Sequence, residues 1–139
     1  MIILSVDYGD RRTGLAVCDK NETIASPVGT VTAKGRTALI DTVAAKAREY
    51  GAELIVVGLP KNMDGSEGFR AETCREFAEL LGEKAGLPVE MQDERLTTVS
   101  AYTDLHAAGV HGKKAAKAVD ALSAVIILED HLRQKERST

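Results

Sequence analysis

Three apolar runs and two amphipathic stripes set the plan of this chain. Ile2, Ile3, Leu4 and Val6 form a near-continuous apolar run, the pattern of a strand covered on both faces and therefore central in a sheet. Leu54–Val57, LIVV, is a second such run ending at Gly58, expected beside and parallel to the first. LAVCD resumes after Gly14, so the intervening DYGDRRTG is expected to be a hairpin with Arg11 and Arg12 at its tip. ETIASPVGTV suggests a third strand, and Pro27, which cannot donate to a ladder, assigns it to a sheet edge. Val89 and Met91 alternate with Glu90 and Gln92 after Pro88, the signature of a half-exposed edge strand.

Helical periodicity fills the gaps. Leu39, Val43, Ala47 and Tyr50 predict a helix over 36–50 closed by Gly51. Cys74, Phe77 and Leu81 mark the inner face of a second helix, for which Asp64 and Glu67 have the spacing of a capping box and Gly86 and Pro88 the stop. A third helix over about 99–108 stops at Gly109, and a fourth is expected from about Ala115 to Arg133. The order is βββαβαβαα. With the proline strands at the edges and right-handed crossovers, the expected fold is α/β, a five-stranded mixed sheet of order 3-2-1-4-5 flanked by helices, in one domain over 1–139.

Composition changes this picture little. With 44% hydrophobic and 28% charged residues the chain has the make-up of an ordinary soluble globular protein. Cys18 and Cys74 form neither a metal pattern nor a disulfide framework, and Cys74 falls on an inner helix face as a small buried hydrophobe. No basic leader and no membrane-length apolar run is visible, so a reduced, cytoplasmic protein without a membrane partner is expected. The net charge of −3 gives no whole-protein field for nucleic acid, yet seven of the 18 cations gather around the motifs below: Arg11, Arg12, Lys61, Arg95, Lys113, Lys114 and Lys117. For the three helix-start lysines a plain solvated surface is an equal reading.

The candidate chemistry is carboxylate chemistry. Asp7 closes the first apolar run, where a carboxylate needs a positive partner or a role as a turn cap. Asp120 is the one charge in VDALSAVIIL, and its neighbours at +3, +4 and +7 are Ser123, Ala124 and Ile127, so its helix face is turned to the sheet. Asp93 and Glu94 follow the last strand. Three acids of this kind suit a hard divalent cation such as Mg²⁺, which takes oxygen ligands and supports hydrolysis at phosphorus. Asn62 and Asp64 stand either as a second rim of the cleft or as a turn and cap, and His106, His111 and His131 show no metal spacing.

VDYGDRRTGLAV, VVGLPKNMDGS, DERLTT and KAVDALSAVIILE, in that order and across nearly the whole chain, resemble the YqgF/RuvX family of Holliday-junction-resolvase-like proteins. The resemblance implies an RNase H-like fold and a Mg²⁺- or Mn²⁺-dependent nuclease acting on nucleic acid, at the 5′ end of pre-16S rRNA. By motif it implies Asp7, Glu94 and Asp120 as catalytic metal ligands, with Asp93 an alternative to Glu94. From their position beside these acids, Arg11, Arg12, Lys61, Arg95, Lys113 and Lys117 are candidates for phosphate contacts. One departure stands out: relatives with resolvase activity carry an acid at the end of strand 4, where this chain has Gly58, Leu59 and Pro60. Three other readings stand beside this one, the second of them favoured by that departure. They are a resolvase acting as a dimer on branched DNA, a catalytically inactive nucleic-acid-binding or transcription-associated factor, and a phosphotransfer protein, since DYGDRRTG also resembles the phosphate-gripping hairpin of actin-like ATPases. The last needs a duplicated domain, for which 139 residues leave no room.

Overall fold

A computed structural model describes residues 1–61, 64–93 and 112–138, with side chains in the last segment from 121 to 135. Its elements are β1 (Ile3–Asp7), β2 (Thr13–Cys18), β3 (Ala25–Val31), α1 (Arg36–Tyr50), β4 (Leu54–Leu59), α2 (Phe69–Ala85), β5 (Val89–Asp93) and α3 (Gly112–Ser138). The sheet order is β3-β2-β1-β4-β5. β2 runs antiparallel to β1, while β4 and β5 run parallel to it. The expected order and directions are therefore found. Pro27 lies on the edge strand at an irregularity, where Leu15 pairs Gly29 and Ala16 pairs Pro27, a position that spares the ladder the missing N–H.

Strand alternation sends β1 side chains to two different layers. Leu4 and Val6 join Leu15, Val43, Ile55, Val57, Phe77 and Leu81 beneath α1 and α2. Ile3 joins Ala16, Val56, Ala124, Ile127 and Leu128 beneath α3. Between Ile3 and Asp7 on that second face, the buried Ser5 hydroxyl donates to the Ala124 carbonyl at 2.6 Å. At the far end of the helix, Lys135 pairs with Glu22 at 2.9 Å, and Glu22 also holds the Met1 amine at 2.9 Å. α3 thus runs antiparallel to β1, with its N-terminal half toward the end of β1 that carries Asp7.

Several local expectations are corrected. α2 begins at Phe69 with Gly68 at its N-cap and no side-chain cap. Asp64 instead closes a tight turn, accepting from the Ser66 backbone N–H at 2.9 Å and hydroxyl at 2.6 Å, while Glu67 pairs with Arg75 at 2.8 Å. The capping-box spacing is satisfied by a turn one step before the helix, as Asp permits. β4 runs through Gly58 to Leu59. Gln92, assigned by alternation to a solvated face, is only 4% exposed. α3 starts at Gly112, so Lys113 and Lys114 belong to the helix backbone rather than to a loop. Cys74 is buried as expected. The helix predicted over 99–108, with His106 and His111, lies outside the described residues, as does Asn62.

Candidate active site

Asp7 is the last residue of the central strand, half-buried, on the α3 face of the sheet. Its cross-strand partner on β2 is Gly14. On β4, Val6 lies level with Val57, which puts Gly58 level with Asp7, and Gly58 in turn pairs Gln92 of β5. Side chains level with one another on neighbouring strands share a face. Asp7 is therefore flanked on both sides by positions with no side chain. Neither Gly14 nor Gly58 has a positive φ, so the backbone does not demand glycine there. At both levels the neighbouring strand brings no side chain of its own beside the carboxylate.

The hairpin that follows is held from two directions. A Cβ at Gly9 would sit 2.2 Å from the Arg12 carbonyl oxygen, so this turn closes only with glycine. From the other side Arg70, in the first turn of α2, donates to the Asp10 carboxylate at 2.7 Å and to the Tyr8 carbonyl, with its guanidinium 5.1 Å from the Tyr8 ring centroid. The Tyr8 ring stacks on Phe77 of α2, centroids 4.1 Å apart and planes within 3°. A planar guanidinium shared between a carboxylate, a carbonyl and a ring face is a rigid clamp. No sequence pattern pointed to Arg70, because its partners lie 60 and 62 residues away. The signal available was composition alone, one more arginine near a hairpin.

Of the predicted site residues, Asp7, Arg11, Arg12 and Lys61 have described side chains. Arg11 is exposed, and Arg12 and Lys61 are half-buried. Lys61 follows β4 and stands close enough to Glu67 to help hold that carboxyl, chiefly governed by Arg75, below its ordinary range. Asp120, Lys113 and Lys117 lie in α3 before the described side chains, and Glu94 and Arg95 lie outside the described residues. Ser123, Ala124 and Ile127, the residues at +3, +4 and +7 from Asp120, are fully buried against the sheet. Asp93 pairs with Leu59, one step past the Gly58–Gln92 level, and alternation turns it away from the Asp7 face. Among the described residues no three His, Cys, Asp or Glu side chains converge to hold a metal ion. Asp7 itself fits such a group: a hard oxygen donor at a strand end, with glycine on the neighbouring strand at each side.

A family model described as "RuvX: Holliday junction resolvase" matches residues 1–134. The chain belongs to this family. Two curated RuvX-like relatives, from Lactococcus lactis subsp. cremoris and Clostridium novyi, are each 41% identical over 132 residues. The alignments cover 94% and 95% of this chain and 92% and 98% of theirs. Both are named "Putative pre-16S rRNA nuclease". Among solved structures, Thermus thermophilus RuvC in complex with a Holliday junction substrate superposes with a TM-score of 0.62 at 16% identity, over 97% of this chain and 96% of that one. The fowlpox virus resolvase with junction DNA gives 0.58 at 11%, over 97% and 99%. These neighbours share the RNase H-like fold, as the RuvX resemblance implied. The RuvX family is one of nucleases, hydrolases of phosphodiester bonds.

Proposed function

We propose that this RuvX-family chain is a divalent-metal-dependent nuclease that trims the 5′ end of pre-16S rRNA in the cytoplasm. The observation that carries the reading is Asp7: a carboxylate ending the central strand, with Gly14 and Gly58 leaving the flanking positions bare. Mg²⁺ or Mn²⁺ would be held by Asp7, Glu94 and Asp120, with Glu94 favoured over Asp93 because alternation turns Asp93 to the other face. When bound, such an ion lowers the pKa of its water and offsets charge developing on the phosphate oxygens. The chain's own residues supply position. Arg11, Arg12 and Lys61, joined by Arg95, Lys113 and Lys117, contact the backbone phosphates and set the strand's register without reading its bases. Arg70 keeps the hairpin from swinging, so Arg11 and Arg12 stay at a fixed distance from Asp7.

A specific observation favours one second reading. The level of β4 beside Asp7 carries Gly58 and no acid, as a nucleic-acid-binding factor without turnover would permit. The family description also keeps a Holliday-junction resolvase in play, which needs two sites on a symmetric homodimer rather than a monomer. One experiment separates the three. A labelled rRNA precursor and a four-way DNA junction are incubated with wild type and Asp7→Asn in Mg²⁺, Mn²⁺ or EDTA, with solution mass measured in parallel. The expected result is metal-dependent cleavage of the RNA, reduced at least about a thousandfold by Asp7→Asn while binding is kept. Binding without cleavage by wild type favours the factor, and paired cuts in the junction by a dimer favour the resolvase.

A further inference from the structure

The chain has two phenylalanines, and the fold treats them in opposite ways. Phe77 is fully buried and stacked on Tyr8. Phe69, the first residue of α2, is 83% exposed, more than any other large apolar side chain among the described residues. An aromatic left in water forgoes the burial that its counterpart enjoys, and this one is not loosely held. The next residue, Arg70, is fastened to Tyr8 and Asp10, and Arg75 one turn further on is fastened to Glu67. The ring is therefore presented from a fixed backbone.

Its surroundings say what it is presented to. Leu80, on the same helix, lies eleven residues or on the order of 16 Å away at helical rise, and Ile24 belongs to the β2–β3 turn. Among the described residues Phe69 is thus an isolated ring rather than part of the contiguous apolar patch a protein partner needs. Through Arg70 its backbone is tied to Tyr8, the neighbour of Asp7. Two cations flank the same segments, exposed Arg11 next to the Asp10 that Arg70 holds and Lys61 close to Glu67, and both suit a phosphate backbone. A flat apolar face next to phosphate-binding cations matches a nucleotide whose base is out of any duplex, since paired bases have no face to offer.

We infer that Phe69 stacks on an unpaired base of the substrate a short distance from the phosphate held at Asp7, so that the protein prefers single-stranded nucleic acid to duplex. The inference rests on the nuclease reading for the role of Asp7, and its test does not require cleavage. In EDTA, fluorescence anisotropy is measured for wild type, Phe69→Leu and Phe69→Trp on an unpaired RNA oligonucleotide, the same oligonucleotide with abasic positions, and its fully paired duplex. Leu keeps an apolar side chain and loses the ring. Since Phe69 is exposed, both variants should keep the wild-type melting temperature, which is checked first. Phe69→Leu should weaken binding to the unpaired RNA by roughly 5- to 150-fold and leave duplex and abasic binding unchanged. The chain has no tryptophan, so Phe69→Trp creates a single reporter whose emission should be quenched by the unpaired RNA and not by the abasic one. Equal binding of wild type and Phe69→Leu to unpaired RNA overturns the inference, as does an equal loss on all three ligands, or no binding by wild type at all. Cleavage of the same oligonucleotide in Mn²⁺ is scored separately. Wild type that stacks and does not cut defeats the nuclease reading alone, and wild type that cuts with Phe69→Leu binding normally defeats only the stacking.

Discussion

The two faces of the sheet are built on different rules. Beneath α1 and α2, Leu4, Val6, Leu15, Val43, Ile55, Val57, Phe77 and Leu81 make an apolar layer. Its one buried polar side chain among the described residues, by strand alternation Thr13, accepts from the Gly9 N–H at 3.5 Å. Beneath α3 the described residues mix apolar side chains with polar ones. Ser5 spends its hydroxyl on the Ala124 carbonyl, Ser123 Oγ is buried with no hydrogen-bond partner, Gln92 is buried, and the row at the strand ends is Gly14, Asp7, Gly58. Buried polar groups and missing side chains both cost stability relative to close-packed apolar ones. Among the described residues the first face is the more apolar, and the second carries the polar groups beside the strand-end carboxylate. Such local departures from good packing are expected where a protein does chemistry.

The largest effect expected from this contrast is on the first face. Phe77→Ala removes a fully buried ring and should destabilise by about 3–5 kcal/mol, lowering the melting temperature by more than about 10 °C in thermal unfolding followed by circular dichroism. Because Tyr8 stacks on Phe77, the same change loosens the hairpin root, and cleavage measured well below the new melting point should fall as well. Phe77→Leu, which keeps volume and loses the stack, should recover most of the stability. A Phe77→Ala protein as stable as wild type would deny that this face carries the fold.

Gly58→Ala sharpens the contrast from the other side. Its φ is compatible with alanine, so melting temperature should hold or rise slightly, by an amount equivalent to about 0.4–1 kcal/mol. The added methyl points to the α3 face beside Asp7, where the proposed function places phosphate and ion. Single-turnover cleavage should drop by roughly 10- to 100-fold with RNA binding nearly intact, the scale on which small misplacements act. A stable variant cutting at the wild-type rate would mean that the bare positions around Asp7 have no functional meaning.

How much of this could be read beforehand differs between the same two faces. The apolar runs, the two prolines and the helix stripes report burial and edges, so strand order, directions and the 36–50 helix followed from the sequence with the correct ends for α1. Local signals were less faithful. Asp64 and Glu67 have capping-box spacing, but such side chains satisfy any nearby N–H, and here the turn at Ser66 took Asp64. Gln92 alternates as a solvated residue, yet it shares a level with Gly58 and is covered. The candidate site was legible where one residue sufficed, as with Asp7 at its strand end. It was not legible where two distant segments meet. Neither the Arg70 clamp nor the pairing of Gly14 and Gly58 around Asp7 leaves a periodic trace, because both are created by register across strands and by a helix 60 residues on.

The smallest predicted effect tests the polar character of the α3 face through pH. His131 on α3 has Nε2 buried without a hydrogen bond, 3.5 Å from the Glu90 carboxylate of β5, with Lys135 and Glu22 also nearby. Burial lowers its pKa, Glu90 and Glu22 oppose that shift, and Lys135 adds to it. A folded-state pKa below the unfolded one means that the unfolded chain takes up the proton first as pH falls. The stabilisation from neutral His131 is therefore complete above the ordinary histidine value of 6.5 and is lost as pH falls toward the folded value. The carboxylates of this region act lower: Asp19, held by the Thr23 hydroxyl and the Ile24 N–H, titrates at about 2, and Glu22, held by Lys135 and the amino terminus, is also lowered. The interval between about pH 5 and 6.5 accordingly isolates histidine. Urea unfolding at several pH values across it should show wild type losing stability on acidification, and His131→Leu losing less. The difference should be modest because Glu90 offsets part of the burial. Parallel pH profiles for the two proteins would show that His131 stays solvated, and that the α3 face is no more polar at this end than the face beneath α1 and α2.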